Sequence, residues 1–433
     1  MGQPRVVITG MGVVAPIGIG LEEYRKSLFA GVSGTALISH FDPAGLPSHV
    51  AAYLRDDGAL AGLRTWLGLG AEERRSTLFA LAAARMAAET SGATDRLSGG
   101  RAGVYLGTSG ERLDLREVGE IVYRSRNGGG SLEMAAYVRE YCVRERGEVV
   151  IRLLPQFVTA RLARAFGIMG PCTTVQTACT SSTQAIGEAL RAIRRGEVDV
   201  ALAGGVECIV TPLELQVFGL LGVLSRRNDR PAEASRPFDA RRDGFVIGEG
   251  AGVLILERAD HALARRAPIL AELAGYGTSC DAYRLTDEAP DGRGAVLAMN
   301  RALEDAGVTP RMVDYINAHG TATLMNDRVE TAAIKAVFGE RAYALPVSST
   351  KSMIGHAISA AGAIELITSV LAIQEQMLPP TINYEVPDPD CDLDYVPNRA
   401  RPARVRTVLS NSFAFGGHND CLVVRQMTAG ALA

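Results

Sequence analysis

Short β-branched and apolar runs alternate with longer amphipathic or alanine-rich stretches along the whole chain. Arg5–Thr9 (RVVIT) reads as a buried strand followed by a glycine turn. Ser76–Ala88 has helical periodicity and many alanines, the best helix formers. Gly103–Leu106 reads as a strand ended by Gly107-Thr108-Ser109-Gly110, Pro155–Phe166 as a helix and Val175–Thr177 as a short strand. Cys179–Arg195 follows as a helix, and Val198–Leu202 as a strand ending at Gly204-Gly205. The rhythm continues with strands at Gly252–Leu256, Ile269–Ala274, Val313–Ile316, Val347–Ser349, Val408–Ser410 and Cys421–Arg425. Helices are predicted at Gly294–Ala306, Asp327–Val337 and Ile358–Gln374. Such alternation predicts an α/β fold in which helices cover a buried sheet.

Two stretches share a layout. Val175–Gly205 runs strand, polar turn, alanine-rich helix, strand, and Val347–Thr381 opens in the same way. This suggests an internal duplication. With no Ser/Pro-rich linker to mark the join, the halves are placed at 1–257 and 258–433.

Composition narrows the function. Apolar residues make up 47% and charged residues 21%, enough for a large core, and a net charge of -3 argues against a general nucleic-acid binder. The N-terminus lacks a basic stretch followed by a long apolar run, and no stretch has the length and uncharged character of a membrane span. The expected location is the cytoplasm. None of the seven cysteines forms a C-x-x-C pair, so neither a disulfide framework nor a zinc knuckle is expected. Lysine occurs only as Lys26, Lys335 and Lys351 in a chain that otherwise uses arginine. A lysine retained inside a motif, as Lys351 is, hints that its compact ammonium group matters there.

Cys179 lies in Gln176-Thr177-Ala178-Cys179-Thr180-Ser181-Ser182, where a predicted strand gives way to a helix. Unpaired N–H groups and the positive end of the helix dipole favour a thiolate there, without a strong base beside it. A small buried structural cysteine fits the same position. Two of the six histidines stand at strand ends beside glycine: His319, followed by Asp327 and Glu330, and His356 in Ser349-Thr350-Lys351-Ser352-Met353-Ile354-Gly355-His356. Taken singly, a turn histidine is more often solvated than functional. The glycines of Asn411-Ser412-Phe413-Ala414-Phe415-Gly416-Gly417-His418-Asn419 allow a close backbone approach to a ligand, and N–H groups there can stabilise an oxyanion.

Together these segments resemble one family. VVITGMGVVAPIG, TAC, LSRRND, SRPFDARRDGFVIGEGAGVLILE, NAHGTAT, KSMIGH and NSFAFGGHN occur in this order over nearly the whole chain. In this the sequence is similar to the elongating β-ketoacyl-acyl-carrier-protein synthases of fatty acid and polyketide assembly. The resemblance implies a thiolase-like fold of two duplicated halves in α-β-α-β-α layers. It implies decarboxylative Claisen condensation of a Cys-bound acyl chain with malonyl-acyl carrier protein. Cys179 then matches the acyl-accepting nucleophile, and His319 and His356 the two histidines that bind the malonyl thioester. Lys351 matches the lysine of the active-site network and Glu330 its acidic neighbour. Phe415 matches the gating phenylalanine, whose backbone N–H joins that of Cys179 in an oxyanion hole. No metal or resident cofactor is implied, because substrates arrive on the phosphopantetheine of an acyl carrier protein. The second partner is another copy of the chain, or a related chain-length-determining subunit. Arg74, Arg75, Arg226 and Arg227 are the candidate carrier-docking residues, since carrier proteins are acidic.

Three departures from the family pattern favour a specialised polyketide or polyene enzyme over a housekeeping fatty-acid one. Glu111–Ile151 is long and charged, Ala414 stands beside Phe415 where glycine is usual, and Ser182 stands where glycine is frequent. A thiolase would need a second cysteine as base, yet Cys391 and Cys421 lie outside the glycine-rich turn, which holds His418. A non-catalytic partner subunit would lack Cys179, and a cysteine hydrolase would need a water-activating base that no residue singles out.

Overall fold

The computed structural model describes residues 3–112, 115–144 and 151–427. Strand β1 (Val6–Ala15), helix α1 (Arg75–Ser91), β2 (Ala102–Gly107), α2 (Gln156–Phe166), β3 (Cys172–Val175), α3 (Ser181–Arg194), β4 (Val200–Glu207) and β5 (Gly250–Arg258) form one series. The series then repeats as β6 (Ala271–Cys280), α4 (Arg293–Ala306), β7 (Tyr315–Asn317), α5 (Leu324–Phe338), β8 (Val347–Ser348), α6 (Ala361–Glu375), β9 (Thr407–Ala414) and β10 (His418–Arg425).

The ladder makes the duplication plain. Its order is β8-β7-β9-β10-β6-β1-β5-β4-β2-β3, with the short strand Gly18–Ile19 hairpinned onto β1. Read outward from the centre, each half has its first, fifth, fourth, second and third strands in that order. Pairings match as well: antiparallel at the inner strands and parallel at the outer ones. The halves meet where Val6–Ile8 pairs antiparallel with Ala271–Leu273.

Three apolar clusters fill the layers. Leu78, Phe79 and Leu162 pack α1 and α2 on one outer face, and Met299, Leu303 and Ile334 pack α4 and α5 on the other. Between the two halves of the sheet, Ile186 and Leu190 of α3 join Ile364 and Ile367 of α6 in one cluster. This is the α-β-α-β-α sandwich that the resemblance implies. Contrary to the expectation that no stretch is long and apolar enough to span a membrane, Ile358–Glu375 is so by length and composition, but 89% of it is buried within the fold.

Two predicted turns are not turns. Strand β1 continues through Gly10 and Gly12, with a register shift between Ile8 and Gly10. A Cβ at Gly10 would lie 2.1 Å from the Ala87 carbonyl oxygen, and one at Gly12 2.0 Å from that of Ala83. These glycines let α1 lie directly on the strand. Gly204 and Gly205 likewise continue β4, because a Cβ there would meet the Gly252 carbonyl or Ser182. The strand predicted at Val175–Thr177 lies earlier, at Cys172–Val175. Of the charged Glu111–Ile151 stretch, helices Leu115–Arg124 and Met134–Arg144 are seen, while residues 113–114 and 145–150 lie outside the described residues.

Candidate active site

Each central helix begins with the same tight turn. Ala178–Thr180 precedes α3 and Ile358–Ala360 precedes α6, as single 3₁₀ turns. Both open on a left-handed residue, Ala178 at φ 50° and Ile358 at φ 39°, a conformation that side chains rarely adopt. The turn holds Cys179 in an apolar cluster with Ile209, Phe245, Ile358 and Ala414. Ser182, where glycine is frequent in the family, accepts the Ala363 N–H at 3.0 Å and so joins the first turns of α3 and α6.

Cys179 Sγ lies 2.9 Å from His356 Nε2. Burial pushes the Cys179 thiol up to about 12, against the pull of the Lys351 ammonium. This differs from the expectation of a thiolate favoured without a base beside it: burial raises the thiol, and an imidazole nitrogen stands in contact with it. Burial and Lys351 also hold His356 well below its ordinary 6.5, and His319 is held down by burial, Lys351 and His356. Burial thus works toward the uncharged forms of the thiol and of both imidazoles. The two imidazole rings stand nearly perpendicular, centroids 5.3 Å apart, with Phe245 against His356 and Phe413 against His319.

Lys351 anchors the second histidine. Its buried ammonium donates to the His319 carbonyl at 2.6 Å, lies 3.3 Å from His319 Nδ1 and pairs with Glu365. An ammonium has no acceptor capacity, so His319 Nδ1 must accept and its proton must sit on Nε2, facing the site. Glu365 thus holds the place that the sequence reading gave to Glu330. Glu330 instead accepts the backbone N–H groups of His319 at 2.9 Å and Gly320 at 2.8 Å and the Asn411 side chain at 3.1 Å. Burial raises its pKa to about 7 despite these donors. Glu365 was legible as the one acid inside the apolar run Ala361–Ile373, which could be buried only with a cationic partner.

The longest family motif proves to be support. Val246–Gly248 runs beside His356, whose N–H donates to Val246 O at 2.7 Å and whose carbonyl accepts from Gly248 N–H at 2.8 Å. Arg242 is buried against Asp388 and Asp327, and Asp327 accepts the N–H groups of Phe238 and Ala322. Phe415 sits half-buried in the turn between β9 and β10, where Gly416 and Gly417 take φ of 86° and 75°. The hairpin is tied to α3 by the Ser412–Thr183 hydroxyl contact at 2.7 Å.

The four arginines differ. Arg75 is committed inward: it pairs with buried Glu249 and donates to Leu54 O at 2.6 Å, which argues against a docking role. Arg74 donates to Arg112 O at 2.5 Å. Arg226 is exposed and Arg227 half-buried, in the loop before Asn228. The Cys179, His319 and His356 ligand atoms lie within 4.8 Å of one another, a set that zinc accepts elsewhere. Here the Lys351 ammonium beside His319 opposes a cation.

Comparisons with known proteins agree with this geometry. The β-ketoacyl synthase N-terminal domain model matches residues 3–262, and the corresponding C-terminal domain model matches 270–385. The chain is 42% identical to a 3-oxoacyl-[acyl-carrier-protein] synthase 2 of Coxiella burnetii, over 99% of this chain and 100% of the relative. It is also 42% identical to the actinorhodin polyketide putative beta-ketoacyl synthase 1 of Streptomyces coelicolor, over 99% and 90%. Among solved structures, the ketosynthase complex AntDE:AntF superposes with a TM-score of 0.87 at 36% identity, over 99% of this chain and 100% of that one. The ishigamide ketosynthase/chain length factor does so with a TM-score of 0.85 at 36% identity, with the same coverage. Two domain models over 3–262 and 270–385, full-length relatives and a buried Cys-His-His centre on a duplicated sandwich leave one conclusion: the chain belongs to the β-ketoacyl synthase family.

Proposed function

We propose that this chain catalyses decarboxylative Claisen condensation of a Cys179-bound acyl chain with malonyl-acyl carrier protein, giving a β-ketoacyl-acyl carrier protein. The observation that carries this reading is the convergence of Cys179 Sγ, His356 Nε2 and the Lys351-anchored His319 in one buried site. In the first half-reaction Cys179 attacks the thioester carbonyl of the acyl carrier. The thiol proton passes to His356 and on to the departing pantetheine sulfur, as the carrier C–S bond breaks. In the second, the bond between the malonyl carboxylate and the α-carbon breaks, carbon dioxide leaves, and charge moves onto the thioester oxygen. The His319 Nε2–H stabilises that enolate, joined by His356 once its Nε2 has taken up a proton from solvent. The α-carbon then bonds to the Cys179 acyl carbon, the Cys179 C–S bond breaks, and the departing thiolate takes up a proton from solvent through His356. Backbone N–H groups of Cys179 and Phe415 receive the tetrahedral oxyanion in this scheme. Glu330 and Glu365 act through His319 and Lys351 as positioning residues.

The same reading divides the chain into an acylating half, 1–257, and a half supplying His319, His356 and Lys351, 258–433. It assigns no resident cofactor and a cytoplasmic location. The relatives include both fatty acid and polyketide enzymes, and we favour polyketide or polyene assembly. A second subunit, a copy or a chain-length-determining relative, is part of the proposal. Strand β3 ends the sheet beside Met169, which is 79% exposed, and Leu213, Val217 and Leu220 are exposed on the helix Pro212–Leu220. An open edge next to exposed apolar surface is what association covers. Acyl transfer from a loaded carrier protein tests the reading: wild type should gain the acyl mass and Cys179→Ala should not. Equal labelling of the two would refute it.

A further inference from the structure

The glycines that seat the outer helices align the two repeats residue by residue. Gly275 and Gly277 of β6 seat α4, where a Cβ would fall 2.4 Å from the Ala302 carbonyl oxygen and 2.1 Å from that of Ala298, as Gly10 and Gly12 of β1 seat α1. Tyr276, between them, therefore matches Met11. By place in their strands and helices, Asp420 of β10 matches Gly252 of β5, and Gly187 of α3 matches Ile367 of α6. Met11 and Ile367 belong to the central apolar cluster, and Gly252 lets Ala363 of α6 lie on the strand. Under α3, the helix of the nucleophile, the second repeat has a polar pair instead. The Tyr276 ring sits against the helix, 2.5 Å from a Cβ placed on Gly187, and its hydroxyl donates to Asp420 Oδ1 at 2.6 Å.

Asp420 is buried and stands opposite Ser412 of β9 and Thr278 of β6 in the ladder. Side chains directly opposite one another share a face of the sheet. On that face Ser412 reaches Thr183, in the first turn of α3, at 2.7 Å. Asp420 therefore points at the same turn. Burial raises its pKa, while the hydroxyls of Tyr276, Thr278 and Thr180 act on the carboxyl and lower it. Its second oxygen, Oδ2, is buried with no completed hydrogen bond. Thr180 directly follows Cys179, and its hydroxyl donates to Thr177 O at 2.9 Å, closing the turn in which Ala178 is left-handed. A strained turn of this kind persists only where its surroundings hold it. With its proton given to Thr177, the Thr180 oxygen can only accept, and a carboxylic acid supplies the donor that it lacks. No step of the condensation above uses Asp420 or Tyr276.

We propose that Asp420, as a carboxylic acid, is a positioning residue for Cys179: its Oδ1 takes the Tyr276 O–H, and its own O–H goes from Oδ2 to the Thr180 oxygen. The bridge ties the nucleophile's turn in the first repeat to strands β6 and β10 of the second. It acts on the placement of the sulfur and touches neither substrate nor reacting atoms. A nucleophile slightly out of place loses rate rather than donor affinity. This inference rests on the condensing-enzyme reading, in which Cys179 is the acylated residue.

The test follows Cys179 loading from hexanoyl-pantetheine by intact mass of the full chain, over a range of donor concentrations and well below the melting temperature. Asp420→Ala should lower the maximal loading rate about tenfold, the effect of one neutral hydrogen bond, and leave the half-saturating donor concentration unchanged. Asp420→Asn should load like wild type, because its amide accepts from Tyr276 and donates to Thr180 as the acid does. Tyr276→Phe, which keeps the ring on Gly187, should also slow loading, and the double variant with Asp420→Ala should be no slower than Asp420→Ala alone, since both act through one bridge. Should Asp420→Ala fail to fold, Tyr276→Phe carries the readout. A residue that served stability alone would move the melting temperature and leave the maximal rate of folded enzyme at the wild-type value. That result, or an Asp420→Asn variant as slow as Asp420→Ala, overturns the inference while leaving the condensing reading intact. Failure of wild-type Cys179 to load overturns both.

Discussion

At the Cys179 sulfur, burial raises the thiol pKa and lowers that of His356, whose Nε2 stands 2.9 Å away. The two histidines should therefore differ when removed. His356 touches the sulfur and His319 does not hydrogen-bond to it, so His356→Ala should slow both acylation and condensation. His319→Ala should leave acylation near wild type and reduce condensation on the order of 10²–10³-fold, the usual effect of losing one oxyanion donor. Single-turnover loading and product formation, measured separately, check this; equal losses in both steps for His319→Ala would contradict its assignment. Lys351→Arg should also reduce condensation, although it keeps the charge. The ammonium converges on the His319 carbonyl, His319 Nδ1 and Glu365 within a fully buried site, and a planar guanidinium cannot place its donors that way. Wild-type condensation in that variant would make Lys351 a bystander.

Among the elements, glycine separates what the sequence disclosed from what it hid. Helices α1, α3, α4 and α6 were legible because their apolar spacing and alanine content point one way. Strand β1 was cut short, and β4 was ended early, because glycine reads as a turn until the helix lying on the strand is seen. Gly12→Ala should lower the melting temperature, with an overpacking penalty of about 1–3 kcal/mol, because its Cβ would fall 2.0 Å from the Ala83 carbonyl oxygen. Wild-type melting would mean that α1 sits further from β1. At the site, the strand ends disclosed Cys179, His319, His356 and Lys351 as a group only through their motifs. Glu330 was expected beside Lys351, where Glu365 stands instead, because sequence distance is a poor guide here. Glu330 is near His319 in sequence and grips its backbone, whereas Glu365 reaches Lys351 from within α6. The left-handed Ala178 left no sequence signal, since alanine is an unusual choice for that conformation.

For the whole molecule, the Arg226-Arg227 loop is our proposed contact for an acidic carrier, since Arg75 is bound to Glu249. Arg227→Glu should slow loading from a carrier-bound donor, more so at low salt, and leave loading from a small thioester unchanged, because rim charges act mainly on association. Unchanged rates with both donors would remove the loop from the interface. The duplicated sandwich brings Cys179 from the first repeat against His319, His356 and Lys351 from the second, so under the proposed mechanism neither repeat alone holds the chemistry. The most direct measurement of that claim is a sequential mass experiment. The chain is first loaded from an acyl carrier protein, then given malonyl-carrier, with the enzyme and both carriers followed together. The expected result is acyl mass on Cys179 that disappears as carbon dioxide is released and a lengthened β-ketoacyl chain appears on the malonyl carrier. Acyl mass on another residue, or its loss as free acid with no lengthened carrier product, would contradict the claim.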